Sequence, residues 1–226
     1  MDHAIIVAGG KGLRMGGEIP KQFMELQGLP ILMHTINRFR DYSPKLDIIL
    51  VLPVDQQEYW HELCRKHSFD VEVRIANGGD TRYQSVRNGL AMIADNERGV
   101  VGVHDGVRPL LTVDLIARCF AGARMYDMCI PVVPVVDTLY HVGKGNVQRA
   151  DYRLVQTPQC FPLRVMRKAY DQPFSEAFTD DASVCSAFAD SESHIEGEPT
   201  NIKITRPVDM AFAEAILKGG LNKPIC

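Results

Sequence analysis

Short apolar runs of strand length, each stopped by glycine, proline or a polar turn, constrain this chain more than any other feature. Ala4-Ile-Ile-Val7, Asp47-Ile-Ile-Leu-Val-Leu52, Gly99-Val-Val-Gly-Val-His104 and Met128-Cys-Ile-Pro-Val-Val133 lack the polar alternation of a half-exposed strand. Both faces of such strands must be covered. Between them, Ile31–Phe39, Asp55–His67, a stretch capped by Asp80 and running to about Ala94, and Val113–Met125 read as helices. Strands separated by helices of about ten to fifteen residues predict right-handed βαβ units. The fold class is therefore α/β, a mostly parallel twisted sheet flanked by helices, with ligands expected at the carboxyl ends of its strands.

The rest of the chain adds an alternating strand at Val71–Ile75, helices near Leu163–Tyr170 and Asp180–Phe188, and a closing helix from Pro207 to Leu217. Asn201-Ile-Lys-Ile-Thr205 alternates as a strand would, with Ile202 and Ile204 on one face. Residues 134–155 have no helical period. They read as a β-hairpin arm, Val135–Val142 and Val147–Val155, around Gly143-Lys-Gly-Asn146. An isolated hairpin is marginal in water, so the arm must pack on its own domain or on a partner subunit. The residues leave both open. The 226 residues fit one large domain, without internal repeat or linker.

A net charge of −3 argues against a general nucleic-acid or membrane-binding surface, so anionic ligands must be held by local cations. The six cysteines are dispersed, with no C-x-x-C pair, as expected of free thiols in a reducing compartment. The histidines show no metal-ligand spacing. No basic-then-apolar leader opens the chain and no run is long enough to span a membrane, which points to a cytoplasmic protein.

The candidate chemistry gathers in loops. Val7 runs into Ala8-Gly-Gly-Lys-Gly-Leu-Arg-Met15, and Pro20-Lys21 follows. Gly9, Gly10 and Gly12 expose backbone N–H groups, and Lys11, Arg14 and Lys21 supply positive charge, a combination suited to a triphosphate. The same residues also suit a plain strand-to-helix loop. Neither G-x-x-x-x-G-K-[ST] nor G-x-G-x-x-G is present, since Met15 stands where the last glycine of the second would fall. His104-Asp-Gly-Val-Arg-Pro109 places Asp105 at a strand end. Beside a phosphate this carboxylate calls for a cation between them, so Asp105 is a candidate magnesium ligand and Arg108 a phosphate ligand. Alone, the pair reads equally as an ion pair stiffening a turn. Asn77-Gly-Gly-Asp80 with Ser85 forms a second glycine turn at a helix start, fit for an anion or the polar edge of a base. Thr157-Pro-Gln159 and Thr179-Asp180 read first as turn and cap chemistry. No nucleophilic triad is present. Nucleotidyl transfer needs none, because it depends on positioning and charge neutralisation.

Taken together, these segments resemble the cytidylyltransferases that act on methylerythritol phosphate in the non-mevalonate isoprenoid pathway. The likeness is collinear from about Ala4 to Leu217 and adds Pro20-Lys-Gln22, Asp137-Thr138 and Asn201-Ile-Lys-Ile-Thr205 to the motifs above. It implies a Rossmann-like nucleotidyltransferase fold that transfers CMP from CTP to methylerythritol phosphate with magnesium. By the same likeness Ala8, Gly9, Gly10 and Gly12 wrap the CTP phosphates, while Arg14 and Lys21 stabilise the pentacoordinate α-phosphorus. Gly79, Asp80 and Ser85 take cytosine and ribose; Asp105, Gly106 and Lys203 complete the CTP site. Arg108 and Thr179 then lie near the acceptor, and Thr138 and Arg149 sit on an arm that crosses a homodimer interface. The chain departs from the family at Gly106-Val107, where many members carry two alanines, at Asp181, where glutamate is common, and in the arm segment Ala150-Asp-Tyr-Arg-Leu154. Ribitol phosphate cytidylyltransferases share the first loop, the Pro-Lys and the Thr-Pro-Gln, and are the nearest alternative. A nucleotide-binding module without turnover is a more distant one.

Overall fold

The computed structural model describes residues 1–10 and 19–220. Strand β1 (His3–Val7) precedes a 3-10 turn at Lys21–Phe23, the small antiparallel pair β2 (Glu25–Leu26) and β3 (Leu29–Pro30), and α1 (Ile31–Tyr42). Then β4 (Asp47–Leu52), α2 (Val54–Lys66), β5 (Arg74–Asn77), α3 (Arg82–Leu90), β6 (Val100–Asp105), α4 (Val113–Met125) and β7 (Met128–Pro134) alternate. The last part holds β8 (Tyr140–His141), β9 (Gly145–Asn146), β10 (Arg153–Val155), β11 (Gln159–Pro162), α5 (Leu163–Tyr170), α6 (Asp181–Cys185), β12 (Glu192–Glu196) and α7 (Pro207–Gly219).

The main sheet runs β5-β4-β1-β6-β11-β7, with β5, β4, β1 and β6 mutually parallel. Strand β11 is antiparallel to both β6 and β7. Strands β10 and β11 lie end to end along β7, with Val155 opposite Val132 and Cys160 opposite Cys129, and β12 runs parallel to β7. Alternate residues of the parallel strands enter opposite cores. Ala4, Ile6, Ile48, Leu50 and Leu52 pack with α1, α2 and α4 through Ile36, Phe39, Trp60 and Phe120. Ile5, Ile49 and Val51 pack with α3 and α5 through Val86, Leu90, Val165 and Met166. With both faces covered, an unbroken apolar run is the stable choice at every position, which is the pattern that the sequence shows. A third cluster of Leu26, Val107, Leu110, Ile204 and Ala213 seats α7 beneath the loop that follows β6.

Several sequence expectations need correction. The strand expected at Val71–Ile75 is displaced to Arg74–Asn77, the stretch that pairs with β4. Thr81, not Asp80, caps α3, accepting from the Gln84 amide, and the helix ends at Leu90. The long hairpin reduces to the two-residue ladders of β8 and β9, because Arg153–Val155 pairs with β7 instead. Asn201–Thr205 forms no strand; instead of a ladder, the Ile204 N–H donates to Val107 O at 2.9 Å. Asn201 is buried, its amide donating to Thr157 O at 2.9 Å, and does not belong to an exposed polar face. Helix α6 is shorter than expected, and β11 and β12 were not anticipated at all.

Helix α3 sits unusually close to the sheet. A Cβ at Gly89 would stand 2.9 Å from Ile5 Cγ2 and 3.1 Å from Val51 Cγ2, both in the packed interior. Alanine is the better helix former by about 1 kcal/mol, but overpacking a close-packed core costs about 1–3 kcal/mol. Gly89→Ala is expected to lower unfolding free energy in a urea titration. A gain in stability would show that the seat of α3 has slack.

Candidate active site

The parallel register brings the strand ends to one edge. Val7 lies opposite both Val51 and Asp105, and Leu52 opposite Asn77. From β1 the chain steps outward through β4 to β5, then returns to place β6 on the other side of β1. The loops after β1 and β6 therefore diverge, which leaves a crevice at the switch point of the sheet. A cleft of about 250 Å³ opens there, lined by Ala8, Gly9, Gly10, Lys21, Gly79, Asp80, Ser85, Asp105 and Lys203 among others. Nine positions singled out in the sequence thus meet in one place. Gly12 and Arg14 lie outside the described residues.

The first wall is held by backbone bonds. Ala8 N donates to Val51 O at 3.0 Å, and buried Gln22 donates from Nε2 to Ala8 O at 2.9 Å and to Gln56 Oε1 at 2.7 Å. Gly10 lies under Lys21, where an added Cβ would stand 3.4 Å from Lys21 Cε and 3.8 Å from Nζ. A Cβ at Gly10 would thus meet the end of that lysine in ordinary van der Waals contact. The second wall is the turn before α3. Gly79 N donates to Ser85 Oγ at 3.1 Å, and that hydroxyl donates to Thr81 O at 2.9 Å. A Cβ at Gly79 would come within 2.2 Å of Gln84 Cγ, so only glycine closes this turn.

The floor is an acidic group surrounded by cations. Asp105 accepts from Lys203 Nζ at 3.0 Å and Arg108 Nε at 3.1 Å through one oxygen, while Arg82 Nε stands 3.8 Å from the other. Burial pushes this carboxyl up, but Lys203, Arg82 and Arg108 outweigh it and hold the group well below the usual carboxylate range. Lys203 reaches the site because Ile204 N bonds Val107 O and Arg108 Nη1 donates to Asn201 O at 2.9 Å, which lays residues 201–204 along the β6 loop. Beneath, buried His104 donates from Nε2 to Arg108 O at 3.2 Å and accepts at Nδ1 from Thr157 Oγ1 at 2.9 Å. The same Thr157 oxygen accepts from Asp105 N at 3.2 Å. Burial, opposed by the charge of Asp105, brings the His104 pKa down to about 4. The neutral ring therefore fixes Thr157, and Thr157 fixes Asp105.

Other sequence candidates stand apart. Gly106 is buried, its N–H donating to Val7 O at 2.9 Å, and joins the two cleft loops from behind. Arg108 is committed to Asp105 and Asn201 and does not line the cleft. Thr179 is exposed beside the start of α6, where Asp180 supplies the cap through a mutual capping box with Ser183. Thr138 and Arg149 are exposed on the arm, with Arg149 donating to Val136 O. A larger cavity of about 440 Å³, lined by Arg87, Leu90, Arg167 and Lys168, has neither the glycine turns nor Asp105. Arg82 and Thr81 line the cleft and were missed by motif reading. A signal for Arg82 did exist: an arginine in the first turn of a helix opposes the macrodipole and calls for a local reason.

Comparison with known proteins identifies the family and the fold. The model of the family described as IspD, 2-C-methyl-D-erythritol 4-phosphate cytidylyltransferase, matches residues 3–219. The protein of that name from Bacteroides fragilis is 51% identical over 217 residues, 95% of this chain and 98% of its own length. The one from Porphyromonas gingivalis is 48% identical over 220 residues, 95% and 97% of the two chains. Among solved structures, the 4-diphosphocytidyl-2C-methyl-D-erythritol synthase of Anaerococcus prevotii superposes with a TM-score of 0.80 at 28% identity, covering 96% of each chain. The Thermus thermophilus cytidylyltransferase gives 0.77 at 30% identity, covering 96% of this chain and 100% of that one. With a cation-ringed carboxylate at the switch point of a mostly parallel sheet and a family match over nearly its whole length, this chain belongs to the IspD family of cytidylyltransferases.

Proposed function

We propose that the chain transfers the cytidylyl group of CTP to 2-C-methyl-D-erythritol 4-phosphate and releases pyrophosphate. The observation that carries this reading is the meeting of the Ala8–Gly10 turn, Lys21, Lys203 and Asp105 around one cleft. The backbone of the first turn and Lys21 face the triphosphate, and the turn of Gly79, Asp80 and Ser85 receives cytosine and ribose. The acceptor's phosphate oxygen attacks the α-phosphorus in line, and the α–β bridging oxygen departs with pyrophosphate. Lys21, with Arg14 from the same loop by family likeness, stabilises the charge that builds on the α-phosphate oxygens. Lys203 stays with Asp105 on the CTP side, Arg108 and Thr179 serve the acceptor side by family likeness, and no protein nucleophile takes part.

A divalent cation, magnesium by preference, fits the donor set at Asp105. The carboxyl is held ionised by its neighbours, and one hard oxygen ligand suits an ion that takes the rest of its shell from phosphates and water. Among the described residues no cluster of three His, Cys, Asp or Glu would hold a metal by itself. When bound with the nucleotide, the ion neutralises charge on the triphosphate.

The arm is read as the dimer contact, reaching across so that Thr138 and Arg149 complete the neighbour's acceptor site. Its support is the apolar surface that it carries: Tyr140, Val142, Leu154 and Val155 are all exposed. No helix among the described residues is long and apolar enough to cross a membrane, and the reading places the enzyme in the cytoplasm.

Pyrophosphate release from CTP and magnesium is expected with methylerythritol phosphate and not with ribitol phosphate; the opposite preference would reassign the acceptor. For Lys21→Ala, kcat should fall on the order of 100-fold with little change in CTP affinity. Equal losses in both would make Lys21 a ground-state ligand only. Light scattering at micromolar concentration should give a dimer, and Val142→Asp with Leu154→Asp should give a folded monomer. A dimer in that variant would move the contact away from the arm.

A further inference from the structure

Arg82, the first residue of α3, bridges two carboxylates brought from distant parts of the chain. Its Nη2 donates to Asp181 Oδ2 at 2.6 Å, while Nε faces Asp105 Oδ1 at 3.8 Å. Asp181 is wholly buried, and its other oxygen accepts from the Tyr170 hydroxyl at 2.6 Å. The Tyr170 ring stacks on Tyr83, next in sequence to Arg82, with centroids 4.9 Å apart. The backbone around Asp181 is clamped a second time. Gln159 donates from Nε2 to Asp180 Oδ2 at 2.8 Å and accepts at Oε1 from Ala182 N at 2.9 Å. Asp181 is therefore a fixed anchor, and Arg82 is a cleft-lining cation whose place is set from outside the cleft.

Stability alone does not account for such a pair. Desolvating two charges costs about as much as their attraction returns, and an apolar pair of equal volume serves a core at least as well. The position at the head of α3 adds a further penalty, since the helix N-terminus repels a cation. Both penalties have a reason if the guanidinium must be delivered to Asp105, the shared partner of Lys203 and Arg108. Thr179, two residues before Asp181, stands on the acceptor side of the proposed reaction.

We infer that Arg82 is a positioning residue for cytidylyl transfer, tying the Thr179–Asp181 segment to the Asp105 carboxylate so that acceptor and nucleotide sides share one geometry. This rests on the cleft being the CTP site. The proposed triphosphate ligands are the Ala8–Gly10 turn and Lys21, whereas Arg82 acts through Asp181 and Asp105. Losing Arg82 therefore disturbs the alignment of the two substrates more than the binding of CTP.

The test compares the wild type with Arg82→Gln, Arg82→Lys, Asp181→Asn and the double variant Arg82→Gln/Asp181→Asn. Titration calorimetry measures CTP binding with magnesium and no acceptor, pyrophosphate release gives kcat and both KM values, and thermal melts report folding. Arg82→Gln leaves the buried Asp181 charge without its cation and is expected to melt early; the double variant removes both charges and is expected to stay folded. In that folded double variant kcat should fall about 10–100-fold while the CTP Kd stays within about threefold. It should be no slower than Arg82→Gln, because the two residues act as one unit. Arg82→Lys, which keeps the charge but not the planar fork, should recover melting temperature more fully than kcat. A double variant with wild-type kcat would reduce the pair to a folding device, and a CTP Kd weakened as much as kcat/KM would make Arg82 a direct nucleotide ligand. Either result overturns the inference and leaves the proposed function standing. A wild type that turns over neither acceptor overturns the proposed function itself, and the inference with it.

Discussion

One carboxylate outnumbered by cations organises this protein. Asp105 stands at the end of the central strand β6 with Lys203, Arg108 and Arg82 around it, and each cation arrives on a different piece of chain. The closing segment before α7 brings Lys203, the β6 loop brings Arg108, and the head of α3 brings Arg82. A buried anion with a single partner would be costly; one shared by several cations is held ionised and holds them in turn. The network explains why residues so far apart in sequence must fold against one strand end. It also explains how a chain of net negative charge presents a locally positive cleft.

The neutral imidazole below that carboxylate is a quieter part of the same device. His104 uses both ring nitrogens, one toward Arg108 O and one toward Thr157, so its tautomer is set by its surroundings. Protonating it would make Nδ1 a donor, so the Thr157 hydroxyl would have to give up its donation and accept from the ring as well as from the Asp105 amide. Burial brings its pKa down to about 4, so this arrangement survives throughout the neutral range and fails only well into acid.

The fold was legible wherever burial on two faces left an unbroken apolar run. Strands β1, β4, β6 and β7 announce themselves because alternate residues serve different cores. Strand β12 does not: in Glu192-Ser-His-Ile-Glu196 only Ile195 packs on the core, so an edge strand carries almost no hydrophobic signal. The reverse error came at Asn201–Thr205, where clean alternation suggested a strand. Pattern reflects burial, and here the segment is buried through Ile204 and Asn201 without a ladder. Of the candidate site, the glycine turns, Lys21 and Asp105 could be picked out because glycine and charge close to a strand end are unusual enough to notice, whereas Lys203 came only through the family likeness. Arg82 could not be found by motif, since its partner Asp181 lies 99 positions away.

The arm is built from two unequal parts. Its base is part of the main sheet, where β10 pairs with β7 and the next residue, Gln156, donates its N–H to Pro131 O and bonds through its side chain to both backbone groups of Glu198. Its tip has only the two-residue ladders of β8 and β9, and most of its residues are exposed. The sheet therefore makes few demands on the tip's amino acids, whereas the base is under the full constraint of the core. Sequence drift should collect at the tip, while the base and the cleft beside it keep their residues.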